Sequence, residues 1–113
     1  MATSTKLLRI YTAASAYVGD RKMSEYIVAL AREQRLAGVT VLEALIGFGK
    51  SAHFHRPHVF ESDRALVIEI VEEEAALRRL VASLEDVPDI GLITMENVEI
   101  MSRTGTSTGS EAP

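Results

Sequence analysis

Val39-Thr40-Val41-Leu42-Glu43-Ala44-Leu45-Ile46 runs without a break into Gly47-Phe48-Gly49-Lys50. The first eight residues are β-prone and apolar almost throughout, which predicts a strand at the centre of a sheet and not a surface ribbon. Two glycines then end it, since glycine reaches backbone conformations closed to other residues and lets a backbone come close to a ligand. Beyond them, Ser51-Ala52-His53-Phe54-His55-Arg56-Pro57-His58 holds all three histidines of the chain.

Outward from this stretch, every neighbouring segment reads as a regular element. Toward the N-terminus, residues 6–12 (Lys-Leu-Leu-Arg-Ile-Tyr-Thr) are short, β-prone and free of glycine and proline, a first strand. A loop closes at Gly19-Asp20, where the Asp20 carboxylate is placed to accept from the free amides of a helix start. Met23, Tyr26, Ile27, Leu30 and Ala31 then recur at spacings of three and four, one face of a helix whose other face carries Glu25, Arg32, Glu33 and Arg35. Ala37-Gly38 offers the left-handed cap that ends it.

Toward the C-terminus, residues 64–71 alternate, with Leu66, Ile68 and Ile70 on one side of a third strand. Glu72-Glu73-Glu74 marks the start of a second helix, where negative charge meets the positive end of the helix dipole. Leu77, Leu80, Val81 and Leu84 form its apolar stripe, and it stops before Pro88. Residues 92–101 are extended, with Val98 and Ile100 on one face and Asn97 and Glu99 on the other. The order strand, helix, strand, strand, helix, strand predicts an α+β, ferredoxin-like βαββαβ sandwich: four antiparallel strands with two helices on one face. The domain spans residues 6–102, followed by a flexible tail, 103–113, of mostly small and polar residues. Leu7, Tyr11, Val39, Val41, Val67 and Val71 are read as opposing the helix-facing set. The uncovered sheet face is then apolar and predicts a homo-oligomer.

Composition bounds the function. At 113 residues, 47% hydrophobic and 25% charged, the chain suits one globular domain with a single aliphatic core. With no cysteine there is no disulfide and no thiolate metal site. A net charge of −4 gives no footprint for nucleic acid, although Lys50 and Arg56 form a local cationic pair. Apolar runs too short for a bilayer and an N-terminus without a signal-peptide block predict a cytoplasmic protein.

Three segments carry a family resemblance: Gly38-Val39-Thr40-Val41-Leu42-Glu43, then Gly47-Phe48-Gly49-Lys50, then Ser102-Arg103-Thr104-Gly105. They resemble landmarks of the PII signal-transduction proteins, and over roughly residues 6–102 the chain is similar to the PII-like family named domain of unknown function 190. That family's pattern is matched by Leu8-Arg9-Ile10-Tyr11, the Gly-Phe-Gly turn, His55 and Val67-Ile68-Glu69-Ile70-Val71. The resemblance implies a homotrimer that holds an adenine nucleotide in clefts between subunits and regulates a partner protein, by analogy a membrane transporter or channel. It implies a nucleotide site of Thr40, Gly47, Phe48, Gly49, Lys50, Ser51, Gly91 and Arg103, with Thr40 lining an adenine pocket and Arg103 reaching a phosphate. The loop of residues 50–62 would meet the partner.

The chain also departs from the PII pattern. The Gly-Lys-rich phosphate loop of PII is replaced by Glu85-Asp86-Val87-Pro88-Asp89-Ile90-Gly91, acidic and with one glycine, which favours AMP, ADP or cyclic AMP over ATP. The segment from Glu43 to Gly47 is one residue longer, and the loop after Gly49 is shorter and lacks the tyrosine that some PII proteins have modified.

The residues alone leave other readings open. Paired glycines at a strand exit are ordinary turn chemistry, and Arg103 is also readable as an exposed charge near a terminus. His53, His55 and His58 form a His-x-His-x-x-His array able to converge on a divalent metal. His55 with Glu69 or Glu43 is the one acid/base pairing available, but with no nucleophile motif the chain is read as a non-enzyme.

Overall fold

The computed structural model describes residues 4–45 and 64–102. Its elements are β1 (Thr5–Ala13), β2 (Tyr17–Val18), β3 (Arg21–Lys22), α1 (Met23–Glu33), β4 (Thr40–Glu43), β5 (Ala65–Glu73), α2 (Glu74–Ser83) and β6 (Ile93–Asn97). Six of them follow the order expected for the sandwich. The main sheet is antiparallel with strand order β4-β5-β1-β6, and β2 and β3 make a small separate hairpin.

The core lies between one sheet face and the two helices. Leu8 and Ile10 of β1 and Ile68 and Ile70 of β5 point into it, where they meet Met23, Ile27 and Ala31 of α1 and Leu77, Leu80 and Leu84 of α2. All are buried. The spacing of these residues, two in the strands and three or four in the helices, is the period each element imposes on its side chains.

Four local expectations change. First, β4 is an edge strand, not a central one, and all four of its residues are exposed in the single chain. Its apolar character is not explained by the core. Second, pairing with β5 sets Val41 opposite Ile68 and Leu42 opposite Val67, so Val41 faces the helices and Leu42 takes the open face. Val39 likewise packs against the core. A one-residue change of register exchanges every face of a strand, which is why the alternation inside an apolar run does not reveal it.

Third, α1 ends at Glu33, well before Ala37-Gly38. Arg35 takes the left-handed conformation (φ 65°), with its amide donating to the Arg32 carbonyl at 3.0 Å and the Leu36 amide donating to the Ala31 carbonyl at 3.0 Å. This is the paired bonding of a Schellman cap, with arginine where glycine is usual. Leu36 supplies the accompanying apolar contact with the core. The left-handed region costs a residue with a Cβ roughly 1–2 kcal/mol. Arg35→Gly is therefore expected to stabilise the fold by about 0.5–1 kcal/mol after glycine's larger entropy loss is offset. A thermal melt should show a midpoint rise of a few degrees.

Fourth, Asp20 does not cap α1. Gly19 and Asp20 instead form the two-residue turn of the β2–β3 hairpin, with the positive φ (65°) at Gly19 that a type II′ turn requires in its first position. The N-cap is Lys22, without a side-chain hydrogen bond. At α2 the acidic run divides: Glu72 and Glu73 finish β5, and Glu74 opens the helix. Glu74 sits below the usual carboxylate range because Arg78, one turn on, donates to it at 2.7 Å, with further help from Lys6.

Candidate functional site

Strand pairing arranges the open face in rows across the sheet. Leu42, Val67 and Tyr11 form one row, Thr40, Glu69, Arg9 and Thr94 the next, and Val71, Leu7 and Glu96 a third. The middle row is polar, and the rows beside it are apolar except for Glu96. Arg9 donates through Nε to Glu69 Oε2 at 3.0 Å and through Nη1 to Glu96 Oε1 at 3.0 Å, tying β5, β1 and β6 together. The hydrogen bond to Glu69 and the nearby charge of Glu96 hold the Arg9 guanidinium above its ordinary pKa.

Sequence reasoning gave this cluster no binding role, although a signal was present. Arg9 interrupts the apolar run of residues 7–11, and Glu69 that of residues 65–71. A charge at an open-face position of a mostly apolar strand is placed to meet its opposite on the neighbouring strand.

Of the expected nucleotide residues, Thr40 and Gly91 are described. Thr40 begins β4 at one edge of the sheet, in register with Glu69. Gly91 precedes β6 at the other edge, where its amide donates to the Tyr11 carbonyl at 2.9 Å and the Leu92 carbonyl accepts from the Tyr11 amide at 2.9 Å. The Gly91 amide is thus used within the chain, which leaves its lack of a side chain as its contribution. Two strands separate the edges, so Thr40 and Gly91 stand about 14 Å or more apart at ordinary strand spacing. A single chain does not bring them together. Gly47, Phe48, Gly49, Lys50, Ser51 and Arg103 lie outside the described residues, as do His53, His55, His58 and the tail 103–113.

The turn between α2 and β6 is acidic as expected, with Glu85, Asp86 and Asp89 exposed and Asp89 at a positive φ of 69°. Three carboxylates at this turn disfavour a densely charged anion. No group of three metal-ligating side chains occurs among the described residues. None of the described helices is long and apolar enough to cross a membrane.

Comparison with known proteins bears on the family and the fold. The model of the DUF190 family, described as "Uncharacterized ACR", matches residues 5–100. A UPF0166 protein of Aquifex aeolicus (strain VF5) is 33% identical over 98 residues, covering 85% of this chain and 92% of that protein. Among solved structures, CPII from Thiomonas intermedia K12, bound to ADP, AMP and acetate, superposes with a TM-score of 0.62 at 16% identity, covering 88% of this chain and 92% of that one. A PII-like signaling protein from Thermus thermophilus gives a TM-score of 0.56 at 19% identity, covering 87% and 91%. At these identities the two structures establish a shared, PII-like fold.

Proposed function

The chain belongs to the DUF190 family and has a PII-like fold, and from that premise we propose that it is a cytoplasmic sensor for an adenine nucleotide. AMP, ADP or cyclic AMP is the effector, bound in clefts between the subunits of a homotrimer. Thr40 of one copy and Gly91 of the next border the cleft, and Gly47, Phe48, Gly49, Lys50, Ser51 and Arg103 complete the site. Glycine amides and a lysine make a receptor for phosphate without a catalytic group.

The observation that carries this reading is the PII-like fold; Thr40 and Gly91 stand at opposite edges of one sheet, so the proposed cleft takes one from each of two copies. The apolar rows of the open face support association of copies, and a protein of the same fold is bound to ADP and AMP. The exposed carboxylates of Glu85, Asp86 and Asp89 support the preference for fewer phosphates than ATP carries. Nucleotide binding acts by its different affinity for two arrangements of the loop 50–62, which meets a regulated protein, a membrane transporter or channel.

The test is substitution in the glycine turn. Gly49→Ala and Lys50→Ala are each expected to weaken binding of the preferred nucleotide at least about tenfold, or 1.4 kcal/mol, with secondary structure and molecular mass unchanged. Unaltered affinity in both variants removes the turn from the site.

A further inference from the structure

The charge at the middle of the open sheet face does not balance. Among the described residues, the ionisable side chains at open-face positions are none on β4, Glu69 and Glu73 on β5, Arg9 and Tyr11 on β1, and Glu96 on β6. Glu73 stands apart, opposite Thr5 at the end of its strand and two rows from Arg9. Phenols are neutral where carboxylates titrate. Arg9, Glu69 and Glu96 therefore set the charge of the centre: one guanidinium between two carboxylates, a surplus of one negative charge.

In a single chain this surplus is tolerated. The side chains of Arg9, Glu69 and Glu96 are 31%, 28% and 56% exposed, so water screens the second carboxylate. Covering the face with another copy removes that water. The second copy brings no free cation, because Arg9 is the sole cation on its matching face among the described residues and is already shared by two carboxylates. It brings the same negative surplus instead. Burying a carboxylate that has no cation of its own favours its neutral, protonated form.

We propose that covering the open face draws one proton into the Glu69–Arg9–Glu96 cluster of each copy, so that self-association tightens as pH falls. The inference rests on the self-association proposed above and adds its control by pH. The proton comes from the solvent and turns one carboxylate of the cluster into a carboxylic acid, which leaves the cluster neutral. The assembled state then binds more protons than the separate chains. Its stability is greatest at acidic pH, where the proton is held, and falls as pH rises and the proton leaves. The gain levels off at roughly pH 4, where carboxylates of the separate chains take up protons as well.

Sedimentation equilibrium of the full chain from about pH 5 to about pH 8, at constant ionic strength and without nucleotide, is the test. Where dilution alone does not separate the copies, every sample holds the same low concentration of urea. The association constant is expected to rise by up to about tenfold per copy for each unit that the pH is lowered. Glu96→Gln and Glu69→Gln each remove the surplus charge and keep an acceptor for Arg9. Each is expected to associate at the alkaline end about as tightly as the unaltered chain does at the acid end, with the pH dependence largely gone. Glu73→Gln, outside the cluster, is expected to retain it. Association of the unaltered chain that does not vary with pH overturns the proposal. So does a pH dependence that survives in both cluster variants, since the titrating groups then lie elsewhere, His53, His55 and His58 included. Both results leave self-association intact, whereas a monomer at every pH overturns it together with the proposal.

Discussion

Ile68→Ala is expected to lower the free energy of unfolding by about 4 kcal/mol, within the range of isoleucine-to-alanine changes in closed cores. Ile68 has no exposed surface, lies in β5 between Ile10 and Val41, and faces both helices. The cavity it leaves is lined from the sheet and from the helix layer, and regular strands cannot collapse into it without giving up their register. Against a total stability of about 5–15 kcal/mol such a loss consumes a large part. Urea unfolding at fixed protein concentration is the measurement, with Ile68→Val as a control expected to cost about 1 kcal/mol. A loss below about 1 kcal/mol for the alanine variant would contradict the placement of Ile68 at the centre of the core.

Val67→Glu, one residue away, is expected to have the opposite profile. Val67 lies on the open face between Tyr11 and Leu42, two positions from Glu69, outside the cluster that joins sheet to helices. In a single chain the new carboxylate meets water. In an assembly that covers this face it is buried beside Glu69 with no partner of its own, because Arg9 is already shared by Glu69 and Glu96. Burying an unpaired charge costs several kcal/mol for each copy. The variant should therefore keep its far-ultraviolet spectrum and sediment as a monomer at concentrations where the unaltered chain is oligomeric. An unchanged mass would mean that the open face does not meet another copy.

The contrast between Ile68 and Val67 also shows what the sequence made legible. Period-two alternation placed Ile68 and Ile70 in the core, and period three to four placed Ile27, Leu77 and Leu80 opposite them, since in each case burial inside one chain dictates the pattern. The position of β4 was not legible. The mostly apolar run 39–46 that contains it reads as a buried strand, yet all four residues of β4 are exposed. Periodicity registers apolar residues and not what covers them, so an apolar edge strand reads like a central one.

The end of α1 at Glu33, and not at Ala37-Gly38, has a different reason. Gly38 is the better left-handed residue, but Leu36 reaches the core only if the chain turns at Arg35, and that packing outweighs the propensity. For the candidate site, the residue types at Thr40 and Gly91 could be named from resemblance. Their separation by two strands could not, because it follows from strand order and no local motif encodes it. The Glu69–Arg9–Glu96 cluster depended on pairing between residues 60 and 87 positions apart.

Whether this protein senses an adenine nucleotide is decided by calorimetric titration. Metal-stripped protein is titrated with AMP, ADP, ATP and cyclic AMP, and the series is repeated with zinc present. Saturable binding of AMP, ADP or cyclic AMP near one per subunit is expected, with weaker binding of ATP and loss of the heat in Lys50→Ala. Absence of nucleotide heat together with stoichiometric zinc binding, lost in His53→Ala/His55→Ala, would contradict it and leave the PII-like resemblance as a statement about fold alone.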